Sequence, residues 1–444
     1  MSNFITKRLH SSPFWNKLFK NASIAFFGTT AASVIELISL AVTVQFLEVS
    51  AYGLLVLAQQ YMILIDGIAN FQSWQAVIKF GTDAKVHNDE NRLLANMKTG
   101  FLVDGVTAVL GMAVALLLLP IVASFLSWSE MLISAAFLFS LEIVFHIEGS
   151  SIGILRLFDK FDWVAIHGVV NAALKLLCLS IYIFGPFSCT FFGIVTIYVA
   201  TDIIKHISLL VVALIFISRK YSIRRLFKTS LQFSDKKMVN FTIWSNLGTT
   251  VDIPVKYLDV FIISAVSVEM VAIYKVYKQL LQAFSLLTSP ISAAIMPQIS
   301  ELVSRDKSRD AYKAVLKIRN YIAALLVVVF VLCIFAAPTL LELFFGKEYA
   351  VNIVLFLALF IIQAYGISYV ALHPYFYAIG KVKADTFITL IANLMYLVIA
   401  FALVGYIDVY AVLLAMAVQF AISIQSKKII VSKWLNTTEK GYIT

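Results

Sequence analysis

The stretch Asn240-Phe-Thr-Ile-Trp-Ser-Asn-Leu-Gly248-Thr249-Thr250 opens an apolar run just past the middle of the chain, and it has an earlier counterpart. Near the N-terminus, Asn21-Ala-Ser-Ile-Ala-Phe-Phe-Gly28-Thr29-Thr30 opens the first long apolar run in the same way. Beyond each lies a second matched pair. Ser50-Ala-Tyr52-Gly53-Leu-Leu-Val-Leu-Ala-Gln-Gln60 aligns with Glu269-Met-Val-Ala272-Ile-Tyr-Lys-Val-Tyr-Lys-Gln279. The offset stays near 219–220, half of the 444 residues. A fixed offset across two successive runs marks an internal repeat.

Working outward, each half holds six runs of the roughly 20 apolar residues that a membrane-crossing helix needs. The twelve expected spans are 22–47, 51–78, 99–125, 130–155, 163–184, 190–217, 239–265, 269–298, 314–338, 350–375, 385–406 and 409–426. Six is even, so both halves face the same way, as parallel repeats about an axis along the membrane normal. The expected organisation is an all-α polytopic membrane protein. Residues 1–218 form an N-terminal lobe, 219–238 a basic cytoplasmic linker, 239–426 a C-terminal lobe and 427–444 a cytoplasmic tail.

Composition agrees. The chain is 61% hydrophobic and only 14% charged, against about 25% charged in soluble domains. The net charge of +10 is spread in short patches between apolar runs, which excludes a nucleic-acid surface and fits loops at an anionic membrane face. With the N-terminus inside, 29 of the 35 Lys and Arg residues fall in cytoplasmic segments and only Lys347 in an outer loop. One missed or extra span would scramble that bias, so both termini are expected in the cytoplasm. Lys7, Arg8, Lys17 and Lys20, with Phe14 and Trp15, make 4–20 either an interfacial helix or a loose tail, and no signal cleavage site is evident. Cys178, Cys189 and Cys333 are odd in number and widely spaced, without a disulfide or zinc pattern.

The remaining five lysines, Lys175, Lys205, Lys256, Lys275 and Lys278, lie inside spans. So do Glu36, Asp66, Asp104, Glu142, Glu148, Asp202, Asp252 and Asp259. A charge at mid-span costs about 2.5–3.5 kcal/mol on the insertion scale, so lipid-facing helices have no reason to keep it and helices lining a wet cavity do. Asp252, Lys256 and Asp259 share one side of span 7 by spacing, as Lys275, Lys278 and Gln282 do on span 8. Lys256, Lys275, Lys278, Lys175 and Lys205 are the candidate cavity cations, and Glu36, Asp66, Asp252 and Asp259 the candidate cavity or ion-coupling carboxylates. Lys275 and Lys278 either line the cavity or snorkel to the outer interface. Asp202 with Lys205 or His206, and Glu142 with His146, have the spacing of structural pairs within one helix. Pro254 and Pro290 are candidate hinges or simple kinks. The sequence shows no phosphate loop and no dinucleotide fingerprint, and its six histidines have no metal-ligand spacing. No catalytic residue, cofactor or metal is expected.

Four stretches carry a family likeness: Tyr52-Gly53-Leu-Leu; Val271-Ala-Ile-Tyr274 with Ala294-Ile-Met-Pro297-Gln-Ile-Ser; Leu343-Phe-Phe-Gly346-Lys-Glu-Tyr349-Ala; and Gly380-Lys-Val-Lys383 with the span around Asn393. In these the chain resembles the Wzx-type polysaccharide and O-antigen flippases of the multidrug/oligosaccharidyl-lipid/polysaccharide exporter superfamily. The resemblance implies a V-shaped two-lobe transporter with a cationic central cavity. It implies an undecaprenyl-pyrophosphate-linked oligosaccharide as substrate, moved across the bacterial inner membrane for O-antigen, lipopolysaccharide or capsule assembly. Implied partners are that substrate, membrane lipids and other polysaccharide assembly proteins, with no nucleic acid. Family members often place arginine among the cavity cations; here those spans carry lysine, a point charge rather than a bidentate fork. A multidrug/cation antiporter of the same superfamily, running on the carboxylates alone, is the alternative.

Overall fold

The structure, a computed structural model, describes residues 13–71, 73–231, 234–250 and 253–440. The first part of the expected segment 4–20, and Asp252, lie outside the described residues. Among the described residues all regular structure is helical. In chain order the helices are α1 Pro13–Phe46, α2 Val49–Ala69, α3 Trp74–Val86, α4 Glu90–Phe125, α5 Glu130–Glu142, α6 Glu148–Leu157, α7 Phe161–Phe184, α8 Phe191–Lys220 and α9 Ile223–Lys228. They continue as α10 Ser234–Thr250, α11 Ile253–Ser264, α12 Val268–Ser304, α13 Ser308–Phe345, α14 Lys347–Val351, α15 Ile353–Ser368, α16 Leu372–Ala378, α17 Val382–Ile407 and α18 Tyr410–Lys440.

Among the described residues, ten runs are long and apolar enough to cross a membrane. The expected spans 7 and 8 fall on α10–α11 and on α12. The protein is a multi-pass membrane protein. Two boundaries differ from the sequence expectation. Span 2 continues through α3 to Val86, because Ala76, Val77, Gly81 and Ala84 supply a buried helical stripe that outweighs the charges of Lys79, Asp83 and Lys85. The C-terminal tail is not a free segment: α18 runs on to Lys440, and Val431, Trp434 and Leu435 pack into a core with Phe376 and Ile388.

The chain divides into two compact units. Of the described residues, one unit comprises those up to Phe46 and Leu57–Ile253, and the other comprises Leu47–Val56 and those from Pro254 on. In the first unit α1 lies along α7, and Gly28 permits the approach: a Cβ there would overlap Ala165. Close packing through small residues is how membrane helices associate where burial of apolar surface gives no driving force. α10 joins this unit, packing on α3 and α4, with the Ser245 hydroxyl hydrogen-bonded to the Gln75 side-chain carbonyl. The basic segment after α8 is tied down too. Arg225 pairs with Glu90 at 2.9 Å, and Lys98 donates to the carbonyls of Phe227 and Thr229.

Two spans of this unit are broken. Span 2 interrupts between α2 and α3. Span 4 interrupts between α5 and α6, where a single 3-10 turn, Ile143–Phe145, precedes His146 and Ile147. Inside a bilayer every freed backbone group needs a protein partner. Asp104 of α4 supplies two: its carboxylate accepts the amide of Ser73, just before α3, at 3.0 Å and that of Ser150, in the first turn of α6, at 2.5 Å. One buried anion therefore sits at the N-terminal ends of two half-helices, where the helix dipoles favour negative charge. The Phe71 amide finds Thr107 Oγ1 at 3.1 Å, and the His146 carbonyl accepts from Asn70 at 2.9 Å.

In the second unit α17 packs along α18, α13 along α15, and α12 along α16. Span 10 is interrupted between α15 and α16. α13 ends at Gly346 and the turn after α16 ends at Gly380; both carry positive φ, 106° and 73°, which explains two of the family-like stretches as chain-turning positions. A third is a close approach: a Cβ on Gly53 would overlap the Val268 backbone carbonyl.

Candidate functional site

Most of the intramembrane charges are paired within their own unit. In the first unit, Lys175 of α7 lies 2.9 Å from Asp202 of α8 and 3.6 Å from Glu36 of α1. Its ammonium also stands 5.2 Å above the Tyr198 ring, and the Tyr198 hydroxyl hydrogen-bonds Thr43 at 3.0 Å. Alongside, Glu148 in the first turn of α6 receives Lys205 at 3.1 Å and His206 at 3.0 Å, both from α8. His146, in the break of span 4, holds Asp66 of α2 at 2.6 Å through Nδ1 and faces Glu148 at 3.6 Å through Nε2. Asn70 donates to the other Asp66 oxygen at 2.9 Å.

Four predicted site residues, Lys175, Lys205, Glu36 and Asp66, thus sit in one network, with their charges largely matched. The pairing corrects one expectation. Asp202 is bound by Lys175 rather than by Lys205 or His206 one turn along its own helix, and His146 is bound by Asp66 and Glu148 rather than by Glu142. The break in span 4 turns His146 out of helical register with Glu142, whose Oε2 has no hydrogen-bond partner among the described residues. Inter-helix partners also give a side chain fuller contact than one turn of a shared helix allows.

In the second unit, Asp259 of α11 is fully buried. It accepts the Tyr274 hydroxyl at 2.7 Å and the Val260 amide at 2.9 Å, and it forms an ion pair with Lys278. Lys278 also donates to the Lys256 carbonyl at 2.7 Å, so its ammonium is held against α11. The predicted stripe on span 7 divides. Asp259 is buried, whereas Lys256, one turn away, is exposed. Lys275 is half-buried on the face it shares with Lys278. Among the described residues neither Lys256 nor Lys275 has an ion-pair partner. The backbone of α12 continues through residue 290, and Pro254 lies in the first turn of α11.

Sequence reasoning missed the roles of Tyr274, Asp104, His146, Glu148 and His206. Tyr274 was visible as part of a family-like stretch, but nothing in its spacing tied it to Asp259. The donors of His146, Glu148 and His206 all lie within 4.8 Å of one another, although positions 146, 148 and 206 make no recognisable ligand spacing.

Residues 18–303 match the family model described as polysaccharide biosynthesis protein. A curated relative, inner membrane protein YghQ of Escherichia coli (strain K12), is 23% identical over 175 residues, 39% of this chain and 49% of the relative. The matched stretch spans about half the length of that relative. Among solved structures the chain is similar to the lipid II flippase MurJ in an inward closed conformation, with TM-score 0.67, 12% identity, and 91% of this chain and 87% of that one covered. It is similar also to a multidrug resistance MATE family transporter of the MOP superfamily in an inward-facing conformation, with TM-score 0.64, 12% identity, and 93% and 95% covered. The fold is the one these transporters share.

Proposed function

The chain belongs to the polysaccharide biosynthesis protein family, and from that premise we propose that it is a flippase for undecaprenyl-pyrophosphate-linked oligosaccharide, working by alternating access in the bacterial inner membrane. The observation that carries the proposal is the pair of lysines on α11 and α12. Lys256 and Lys275 lie in membrane-spanning sequence without an ion-pair partner among the described residues, next to Lys278, which Asp259 already neutralises. A cation kept inside a membrane at a cost of about 2.5–3.5 kcal/mol is a functional site by default, and a pair of them suits a pyrophosphate.

In this reading Lys256 and Lys275 hold the pyrophosphate, and Lys278 fixes the Lys256 backbone beside them. Lys175, Lys205, Glu36 and Asp66 hold the first unit's helices together. Both termini are cytoplasmic, Pro254 and Pro290 give the bending points, and the carried glycan serves surface polysaccharide. Charge favours the direction: at 100 mV, inside negative, about 2.3 kcal/mol per charge assists outward movement of an anionic head group.

The test is deletion of the gene and complementation with Lys256→Ala/Lys275→Ala. Deletion should deplete surface polysaccharide and accumulate lipid-linked intermediates, and the double variant should insert normally yet fail to restore either. Normal surface glycan on deletion, together with drug resistance on overexpression, would identify a drug/cation antiporter instead.

A further inference from the structure

The break in span 4 places two imidazoles and a carboxylate in an arrangement that the transport reading does not use. His146 Nδ1 is engaged with the Asp66 carboxylate at 2.6 Å, so it carries the hydrogen. The other nitrogen, Nε2, faces Glu148 Oε2 at 3.6 Å. Inside the membrane-spanning region either a proton on the imidazole or a bound metal ion can join these two groups. His206 approaches from α8, its Nδ1 3.0 Å from Glu148 Oε1. The two imidazole rings lie 4.6 Å apart, tilted by 32°.

We propose that His146, Glu148 and His206 form a binding site for a zinc-class divalent transition metal, with Asp66 orienting His146 from behind and the fourth coordination position open. The donor set selects the metal: two imidazole nitrogens and one carboxylate suit zinc, copper or nickel, whereas sodium, calcium and magnesium prefer all-oxygen sites. The dimensions suit it. Tetrahedral zinc with bonds of about 2.0–2.1 Å places its donors about 3.3 Å apart. His206 lies 3.0 Å from one Glu148 oxygen and His146 3.6 Å from the other, both near that value, and one donor from each of the three residues lies within 4.8 Å of the others. The Asp66–His146 hydrogen bond is the outer contact by which metal-bound histidines are generally held in one tautomer and orientation.

Lys205 is the competitor. Its ammonium sits 3.1 Å from Glu148, and its side chain is 39% exposed against 15% for Glu148. It is more exposed than the carboxylate it pairs with and can swing away, leaving Glu148 to the metal. Bound there, the ion ties the interrupted span 4 to α8, so it fixes the part of the unit with the least helical continuity.

The experiment uses the full-length protein in detergent, washed with chelator and titrated with Zn2+ alone, with Co2+ as a spectroscopic reporter of four-coordinate nitrogen and oxygen ligation. Wild type should bind one ion and give the visible ligand-field bands of such a site. His206→Ala and Glu148→Gln should abolish binding, and Asp66→Asn should weaken it by about 10–100-fold, the usual loss for an outer contact. Lys205→Met should bind Zn2+ more tightly than wild type. A gain of affinity cannot come from misfolding, so this variant keeps the proposal falsifiable if the others fold poorly. Absence of Zn2+ binding by wild type would show that a proton alone stands between His146 and Glu148, and would overturn the site. Binding unchanged in both His206→Ala and Glu148→Gln, or unaltered by Lys205→Met, would overturn it as well.

Discussion

Span 4 in the first unit and span 10 in the second are both interrupted, yet their breaks are sealed with different chemistry. At span 10 the chain satisfies itself. The amides of Tyr369, Val370 and Leu372 reach carbonyls three residues back, at 2.9–3.2 Å, and aromatic pairs Tyr365–Tyr369 and Tyr312–Tyr375 pack around the turn. At span 4 the His146 and Ile147 amides also bond locally, to Ile143 and Phe145, but much of the seal comes from elsewhere in the unit: Asp104 on α4, Asn70 after α2, and Asp66 and His206 facing the turn. A break closed by local backbone bonds depends on no single side chain. A break closed by distant carboxylates fails when one of them is removed.

Asp104 gives the largest expected effect. Asp104→Leu strands two buried amides, at about 1–3 kcal/mol each, so the first unit should lose about 4 kcal/mol. Asp104→Asn keeps one acceptor and should lose about half of that. At span 10 the matching insult, Ser368→Ala, removes only a hydroxyl bond to the Ala364 carbonyl within the same helix and should cost under about 1 kcal/mol. Thermal unfolding in a fixed detergent reads all three. Equal losses at Asp104→Leu and Ser368→Ala would erase the distinction between the two breaks.

The ion clusters differ in the same sense. Among the described residues Asp259 has one ion-pair partner, Lys278, and it is fully buried. Glu148 has Lys205, His206 and His146 around it. Lys278→Met should therefore destabilise by about 3 kcal/mol, as expected for an uncompensated buried charge. Asp259→Asn in the same chain should recover much of the loss. Lys205→Met, with two imidazoles still in place, should cost about 1 kcal/mol. A double-mutant cycle on Lys278 and Asp259 measures the coupling, and a coupling near zero would mean that Tyr274 and the Val260 amide alone hold the carboxylate.

How much of this was legible follows from range. The spans are one-dimensional signals, so the apolar runs and the repeat were readable directly. The breaks were not, because Asn70–Ser73 and Ile143–Ile147 stay apolar enough, averaged over a span, to pass as helix. Pairing was hardest. Lys175 meets Glu36 and Asp202 from two other helices, and a helix wheel shows only neighbours one turn away. The sequence did identify Lys175, Lys205, Glu36, Asp66, Lys278 and Asp259 as intramembrane charges that needed explaining. It could not say which would cancel.

Small residues sharpen the comparison further. Gly53 meets the Val268 carbonyl, a backbone atom with little room to give. Gly53→Val should then lose about 2 kcal/mol by overpacking, measured as a shift in unfolding temperature. In the first unit Gly28 faces Ala165, and there too a Cβ would overlap. Gly28→Ala combined with Ala165→Gly should restore the fit, whereas no side-chain exchange at Val268 relieves Gly53, because the obstacle is main chain. Rescue of Gly53→Val by Val268→Gly would contradict that reading.

The smallest effect isolates backbone strain. Gly380, φ 73°, has open space where a Cβ would go, so a substitution there adds no clash with neighbouring atoms. What remains is the cost of a left-handed conformation, about 1–2 kcal/mol for an ordinary L-residue and less for asparagine. Gly380→Ala should thus lower stability by about 1 kcal/mol and Gly380→Asn by less. A side chain alone would rank these variants by size, with Asn worse than Ala. Backbone strain ranks them the other way, so the order of the two unfolding temperatures decides between the causes.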